Sequence, residues 1–290
     1  MTRPLGVPLA VASRRLLGRV QVPASAGTDW LDSANSRHVG ATATAHATPH
    51  TVGGWTEIVA ATTKPVTMLH VRIDAATLSS GTDSSMLLDV GVGAAASEVA
   101  IIPSLAAGYH SVNQYRVYDI PVYIPAGSRV AVRCQSAITL ATCAVRMWGD
   151  TMPGYEQPAP SCIAIGAVTA ASQGTVLTAP GSLNTKGAWT ELTASCPQPL
   201  RAVVVQTQGA SDLALGAAYV VVDIGVGAAG SEVVVVNDVE YLGGSSESLD
   251  ATQPVTFGVS IPAGARIAAR YARAASTANT CDVHLIGIPA

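Results

Sequence analysis

Residues Gly225–Gly230 spell the GxGxxG pattern that holds dinucleotides in other folds. That chemistry needs a helix directly behind the glycines, because the helix N-terminus binds the pyrophosphate. The following residues, Ser231–Val236, form a valine-rich run typical of a β-strand, and a second copy of the motif has Ala96 at the third glycine. We therefore interpret the glycines as a turn between strands and predict no cofactor.

Histidine and cysteine could offer metal binding. His46 and His50 are four residues apart, a spacing that suits a metal on a helix, but the Thr-rich segment around them predicts an extended chain. The five cysteines show no CxxC spacing, and buried free thiols are the expected state. Cys134 and Cys143 could also face each other across a hairpin, and the sequence leaves open whether they are bonded. We predict no metal site.

Carboxylates could supply acid–base catalysis, and Asp89 and Glu98 have repeated counterparts in Asp223 and Glu232. Each pair occupies equivalent places in two separate units, so its members cannot be assumed to act on one substrate. Hydrogen bonds to turn amides are their expected role. The sequence also contains no GxSxG, HExxH or P-loop motif. We predict that the chain is not an enzyme and assign no catalytic residue.

The sequence contains an internal repeat, which indicates the kind of domain that positions these residues. Three segments occur twice in the same order: Asp89–Val99 and Asp223–Val233, Gly53–Glu57 and Gly187–Glu191, and Ile124–Arg133 and Ile261–Arg270. The first two pairs share one offset, from 89 to 223, and the third is displaced by three further residues, as a small loop insertion would produce. The pattern predicts tandem duplication of one domain.

Within each copy the apolar residues alternate. Met86, Leu88, Val90 and Val92 form one such run, and residues 220–226 repeat it. A period of two predicts strands with one buried face, and Pro-Ala-Gly turns separate them. We predict an all-β fold of two tandem duplicated, jelly-roll-like β-sandwiches. The expected divisions are an N-terminal arm at 1–26, repeat 1 at 27–150, a Pro-rich linker at 151–160 and repeat 2 at 161–290.

Composition narrows the class of protein. The 290 residues are 49% hydrophobic and 12% charged, which excludes intrinsic disorder and argues against a coiled coil. No apolar run approaches the length of a membrane span, and the net charge is −3. We expect no membrane insertion and no nucleic-acid partner.

The basic residues are unevenly placed. None of the 19 acidic residues lies in the N-terminal arm, which carries four of the 16 basic ones. We expect this arm to dock on an acidic neighbour, and its short, proline-interrupted apolar run argues against a signal peptide. Arginines alternating with buried valines in both copies could also reach acidic neighbours through bidentate contacts, although a solvated face is the simpler interpretation. The candidate docking residues are Arg3, Arg14, Arg15, Arg19, Arg129, Arg133, Arg266 and Arg270.

Three tryptophans are candidate contact residues. Trp55 and Trp189 are paired by the repeat, each between a small residue and Thr-Glu. Exposed indole rings would form a platform for sugars, whereas a structural ring covering one end of the sandwich would explain the repetition more simply. Trp30 has no counterpart and could anchor a neighbouring subunit.

The segments repeated at Asp89 and Asp223, and at Ile124 and Ile261, resemble those of structural proteins of tailed bacteriophages: minor tail proteins, tail-tip or fibre components and head decorations. The resemblance covers about residues 40–290 and rests on turn-and-strand patterns. It implies a β-sandwich virion component that is a homo-oligomer or binds other virion proteins, is assembled in the host cytoplasm, and performs no catalysis. It supplies no binding residues.

Three classes of function follow from these observations. The sequence favours a virion structural protein, with a minor tail or fibre adaptor preferred and a capsid decoration (cement) protein as the alternative. A second class is a glycan-binding host adhesin, which would require exposed aromatic rings around Trp55 or Trp189. A hydrolase is the third and least favoured class, because no nucleophile–base pair or carboxylate cluster can be located.

Overall fold

The computed structural model describes residues 28–30, 40–74, 86–107, 115–151, 161–166, 174–208, 219–243, 249–250, 254–273 and 280–290. These residues form antiparallel β-strands joined by turns, and no helix occurs among them. Accordingly, no helix in these ranges could cross a membrane. The predicted all-β, sandwich-like fold class is confirmed. The predicted arm, residues 1–26, and most of the predicted linker, residues 152–160, lie outside the described residues.

The strands are numbered in chain order. Those of the first half are β1 (Thr28–Trp30), β2 (Ala41–Thr44), β3 (Thr56–Val59), β4 (Met68–Asp74), β5 (Met86–Val92), β6 (Val99–Ala106), β7 (Tyr115–Ile120), β8 (Val130–Ser136) and β9 (Thr142–Asp150). Those of the second half are β10 (Ile163–Ile165), β11 (Thr175–Thr178), β12 (Thr190–Thr193), β13 (Leu200–Gln208), β14 (Tyr219–Val226), β15 (Val233–Gly243), β16 (Leu249–Asp250), β17 (Thr256–Ile261), β18 (Ile267–Arg273) and β19 (Thr280–Pro289).

The strands of each half form two sheets. Sheet 1A has the order β9-β4-β7, with β1 and β2 both pairing β9, and sheet 1B has the order β3-β8-β5-β6. Sheet 2A has the order β10-β19-β13-β17 with β11 also on β19, and sheet 2B has the order β12-β18-β14-β15-β16. The eight strands from β2 to β9 therefore pass between their sheets in the same sequence as β11 to β19, apart from the short β16. This alternation is that of a jelly roll. The domain boundaries themselves stay a prediction.

The interior of each half contains the alternating apolar residues. In β4, for example, Leu69, Val71 and Ile73 are buried and point into the first half, while the residues between them are only partly buried. Val203 and Val205 fill the corresponding places of β13. Burying one face of each strand removes the apolar side chains from water and fixes the register, because a one-residue slip would expose the whole set.

All five cysteines are buried free thiols, as the sequence predicts. Cys134 on β8 and Cys143 on β9 lie on opposite sheets of the first half and face each other. Hydrogen bonding to Cys134, followed by burial, raises the pKa of the Cys143 thiol well above its ordinary value. Cys143 is therefore held as a thiol of low reactivity in the core.

Candidate functional site

Trp55 and Arg133, both singled out in the sequence, belong to one cluster on the outer side of sheet 1B. The Arg133 guanidinium lies 4.4 Å from the centroid of the Trp55 ring, and its Nε donates to Asp89 Oδ2 over 2.9 Å. The ring passes so close to Gly91 that a Cβ there would lie 2.5 Å from it. Glycine is required at this position because the indole occupies the space of a side chain.

The second half contains the same cluster. Arg270 lies 4.5 Å from the centroid of the Trp189 ring and donates from Nε to Asp223 Oδ2 over 2.9 Å. A Cβ on Gly225 would lie 2.7 Å from the Trp189 ring. The first glycine of the GxGxxG pattern is thus explained by packing under a tryptophan.

Arg129 forms a second repeated cluster. Its Nε donates to Glu57 Oε2 over 2.7 Å, and its Nη1 donates to Glu98 Oε1. The Glu98 side chain is 1% exposed. Burial raises the pKa of Glu98, but hydrogen bonds from backbone amides and from Arg129 outweigh it and hold the pKa below its ordinary value. The carboxylate is therefore ionised and bound at neutral pH.

Arg266 makes the matching contacts in the second half. It donates to Glu191 from Nε and to Glu232 from Nη1, both over 2.7 Å. The pKa of Glu232 is again lowered, because hydrogen bonds from Arg266 and from the backbone outweigh the effect of burial. Each predicted docking arginine in the described residues is thus bound to carboxylates of its own half, and an additional contact with a partner protein stays a prediction.

Each repeated aspartate accepts a hydrogen bond from the neighbouring strand at a point where that strand is distorted. Ser104 on β6 and Asp238 on β15 have positive φ angles, 58° and 50°, at irregularities of the strand pairing. Their backbone amides donate to Asp89 Oδ1 and Asp223 Oδ1, each over 2.9 Å. Each carboxylate therefore satisfies an amide that the ladder leaves unpaired.

Asp223 has one contact that Asp89 lacks. Lys186 Nζ lies 2.7 Å from both Asp223 Oδ1 and Asp238 Oδ1. Burial raises the pKa of Asp223, but hydrogen bonds from Lys186, the Asp238 amide and Arg270 outweigh it, so the pKa is lowered. The two aspartates thus accept hydrogen bonds from amides within strands β6 and β15 rather than from the turn amides expected from the sequence, and both also form ion pairs.

A polar cluster without a counterpart lies on the outer face of sheet 1A. The His70 ring stacks on Trp148, with centroids 5.2 Å apart, and lies between two carboxylates. Its Nδ1 is 2.6 Å from Asp119 Oδ1 and its Nε2 is 3.1 Å from Asp150 Oδ2. Burial lowers the pKa of His70, but the two aspartates together outweigh it and raise the pKa above its ordinary value. The two carboxylates therefore favour the protonated form of the imidazole.

Sequence analysis missed this cluster, although a signal existed. At the repeat offset His70 corresponds to Val204, and a titratable group facing an aliphatic one marks a position that the common fold does not require. The Trp30 backbone pairs with Trp148 in sheet 1A, which places β1 beside the cluster. Its side chain lies outside the described residues, as do Arg3, Arg14, Arg15 and Arg19.

His46 and His50, the pair weighed as metal ligands in the sequence, lie in the exposed turn region that follows β2. His46 Nδ1 accepts a hydrogen bond from the Thr48 amide over 2.9 Å in a local turn, and His50 has a positive φ of 60°. Across the described ranges, no group of three or more His, Cys, Asp or Glu side chains could hold a metal ion.

The halves also contact each other. Ala202, Val204, Ile286 and Ile288 from sheet 2A share a core cluster with the apolar side chains of the first half. The Cys162 amide donates to the Ile101 carbonyl oxygen over 2.8 Å. The outer face of sheet 2A therefore packs against β6, the edge strand of sheet 1B.

No family model matches the chain, and no curated protein matches it. Among solved structures, one titled "Structure of PNGF-II in C2 space group" is similar with a TM-score of 0.35 and 8% identity, over 91% of this chain. The chain spans 65% of the length of that protein.

Proposed function

We propose that this chain is a non-enzymatic structural component of a bacteriophage virion, a minor tail or fibre adaptor protein anchored through residues 1–26. The observation that carries the proposal is the use of the repeated charged residues. Arg129, Arg133, Arg266 and Arg270 bind carboxylates of their own sandwich, and these contacts stabilise the fold. The virion assignment itself rests on the resemblance of the repeated strand-and-turn segments.

The test is the copy number of the chain in intact particles, measured by quantitative mass spectrometry after gradient purification. A tail component should co-sediment with the particles at a low and fixed ratio. A ratio comparable with that of the main capsid protein would support the alternative, a capsid decoration protein. Complete recovery of the chain in the particle-free fraction would contradict both.

Anchoring by the N-terminal arm has its own test. Replacing Arg3, Arg14, Arg15 and Arg19 with alanine should prevent incorporation into particles, because the arm loses every charge it could offer to an acidic neighbour. The matched control replaces the same residues with lysine and should retain incorporation. Normal incorporation of the alanine variant would remove the arm from the proposal.

The glycan-binding alternative has less support. One face of the Trp55 ring and one face of the Trp189 ring are covered by Arg133 and Arg270, and both tryptophans are partly buried, so little ring surface is left for a sugar to stack on. A glycan array probed with the full chain should therefore show no binding. Binding that disappears in Trp55→Ala or Trp189→Ala would replace the structural role with an adhesin role.

A further inference from the structure

Two thiols meet in the core of the first half, near the end of the sandwich where β8 turns back into β9. Cys134 is the fifth residue of β8 and Cys143 the second residue of β9, and each is 1% exposed. The two strands belong to opposite sheets, 1B and 1A. A side-chain hydrogen bond joins the thiols, so the pair is a direct contact between the sheets.

The backbones of the two sheets also approach each other at this end. Gly53 lies between them, and its amide donates to the Cys134 carbonyl oxygen over 2.8 Å. A Cβ on Gly53 would lie 3.1 Å from that oxygen and 2.4 Å from the Thr44 carbonyl oxygen of β2, the strand on which Ala43 pairs with Cys143. Gly53 therefore fits between the sheets because it has no side chain, and a short spacing between backbones is what a disulfide requires.

The common fold does not require two cysteines here. In the second half Tyr271 stands in the place of Cys134, and Cys281 in the place of Cys143, as the strand partners show. Both residues are fully buried. The second half therefore fills the same part of its core with a phenol ring and one thiol. The contact between two thiols is a difference between the halves that sandwich packing alone does not explain.

We propose that Cys134 and Cys143 are a latent cross-link, held as thiols in a reducing cytoplasm and closed into a disulfide between the two sheets once the chain is outside the cell. Disulfides persist in oxidising surroundings and are rare in the cytosol. The timing rests on the proposed function, in which the chain is assembled inside the host and acts outside it. The bond would join sheet 1A to sheet 1B covalently.

The reaction is a thiol–disulfide exchange in two steps, with a small external disulfide as the oxidant. One cysteine loses its proton to water, and its thiolate attacks a sulfur of the oxidant, which forms a mixed disulfide and releases one small thiol. The thiolate of the other cysteine then attacks the protein sulfur of this mixed disulfide. That step forms the bond between Cys134 and Cys143 and releases the second small thiol. The two cysteines lose two electrons, and the oxidant gains them.

Burial makes this reaction slow. Hydrogen bonding to Cys134, together with burial, holds the pKa of Cys143 well above its ordinary value, so its thiolate is scarce at neutral pH. The oxidant must also reach the pair through the end of the sandwich. We therefore expect oxidation of the folded chain to take hours and to become faster as the pH is raised.

The test oxidises the folded full chain with hydroxyethyl disulfide, blocks the remaining thiols with N-ethylmaleimide in denaturant, and maps the tryptic peptides by mass spectrometry. Cys134 and Cys143 are the only cysteines of the tryptic peptide 134–146. After oxidation this peptide should carry no label and should be lighter than its reduced form by the mass of two hydrogen atoms. The bond should also lower the equilibrium constant of unfolding at least about tenfold, as urea midpoints with and without reductant measure it.

Cys281→Ala is the matched control, because Cys281 occupies the place of Cys143 but lies opposite a tyrosine. This variant should form the bond in peptide 134–146 as the wild type does. Cys143→Ala should leave Cys134 open to N-ethylmaleimide and should show no reductant-sensitive midpoint. Circular dichroism confirms that each variant is folded. A wild-type peptide that keeps both thiols after a day of oxidation, or that carries a mixed disulfide instead of the internal bond, overturns the proposal.

The timing is tested in infected cells. Alkylation before lysis should find both thiols free, and released particles should contain the bond. Particles that keep both thiols, or cells in which the bond is already formed, overturn the proposal.

The cross-link and the virion role can fail separately. A chain that co-sediments with particles and never forms the bond rejects the cross-link alone. A chain that oxidises at Cys134 and Cys143 and is absent from purified particles rejects the virion role alone.

Discussion

The outer faces of sheets 1A and 2A occupy the same place in their halves and have different chemistry. On sheet 1A the positions along β4 hold His70 and Arg72, and the adjoining Asp119 side chain is 63% exposed. On sheet 2A the matching positions of β13 hold Val204 and Gln206, each 1% exposed. The inner faces of both sheets remain apolar. The inner residues are thus set by the sandwich, and the outer residues by what each sheet contacts.

The outer faces of sheets 1B and 2B show the opposite relation. Tryptophan, arginine, aspartate and glycine are identical there, and their distances agree to about 0.2 Å or better. These side chains contact one another within their own half. Agreement between the halves therefore marks residues that stabilise the fold, and disagreement marks positions that the common fold does not require.

The largest effect should come from the glutamine at the contact between the halves. Gln206→Ala leaves the buried Ala106 amide without its acceptor and opens a void, so we expect a loss of about 2–4 kcal/mol in the free energy of unfolding. Arg72→Ala, at the matching position of sheet 1A, should cost about 1 kcal/mol or less because that arginine is partly exposed. Urea unfolding at low protein concentration, followed by tryptophan fluorescence, compares them. Equal losses would contradict the distinction between the two faces.

The paired aspartates should give the next largest effect. Asp223→Ala removes a fully buried carboxylate that binds both Lys186 and Arg270. We expect a loss of about 3 kcal/mol in the free energy of unfolding. Asp89→Ala disrupts one ion pair and one amide contact and should cost about 1–2 kcal/mol. The same unfolding assay measures both, and a larger loss for Asp89→Ala would show that Lys186 adds nothing.

The pH dependence of these variants supplies a further check. The pKa of Asp223 is lowered in the folded chain, so its contribution is fully present above the unfolded pKa of about 3.9 and is lost as the pH falls through the folded pKa. Relative to the wild type, the deficit of Asp223→Ala should therefore shrink below about pH 4. A deficit that stays constant down to pH 2 would show that the loss is not ionic.

A third test concerns a feature that the halves share. Gly91→Ala places a Cβ 2.5 Å from the Trp55 ring, and Gly225→Ala places one 2.7 Å from the Trp189 ring, so both should cost about 1–3 kcal/mol. Displacement of the ring from Arg133 should also shift the tryptophan emission. Gly54→Ala is the control, because no atom lies within 4 Å of a Cβ there. If the control is as damaging as Gly91→Ala, the ring contact is not the reason for the glycine.

The strands and the residues repeated between the halves could be predicted from the sequence. The alternation from Met86 to Val92 matches β5 in extent, and the repeated glycines and tryptophans prove to be mutual contacts. The alternation depends on residues that are close in the chain, and the glycines and tryptophans stand out when one copy is compared with the other. Both kinds of signal can be found in the sequence alone.

The contact between the halves could not be predicted in the same way. It depends on which edge strand meets which sheet, and neither Gln206 nor His284 differs in type from an ordinary surface residue. The equivalence of Arg146 with His284 is also hidden, because further insertions shift the repeat offset before the last strand. Strand register was needed to align these positions.

The smallest effect should come from His70, whose counterpart Val204 does not titrate. Its pKa is raised above the ordinary value of 6.5, so the stabilisation is fully present below pH 6.5 and is lost as the pH rises through the folded pKa. Because Asp119 is 63% exposed, we expect about 1 kcal/mol or less. Urea midpoints of the wild type should fall between about pH 6 and pH 8 by more than those of His70→Gln, which carries no titrating ring. Parallel pH profiles would mean that the imidazolium contributes nothing to sheet 1A, and the contrast with sheet 2A would then rest on the arginines alone.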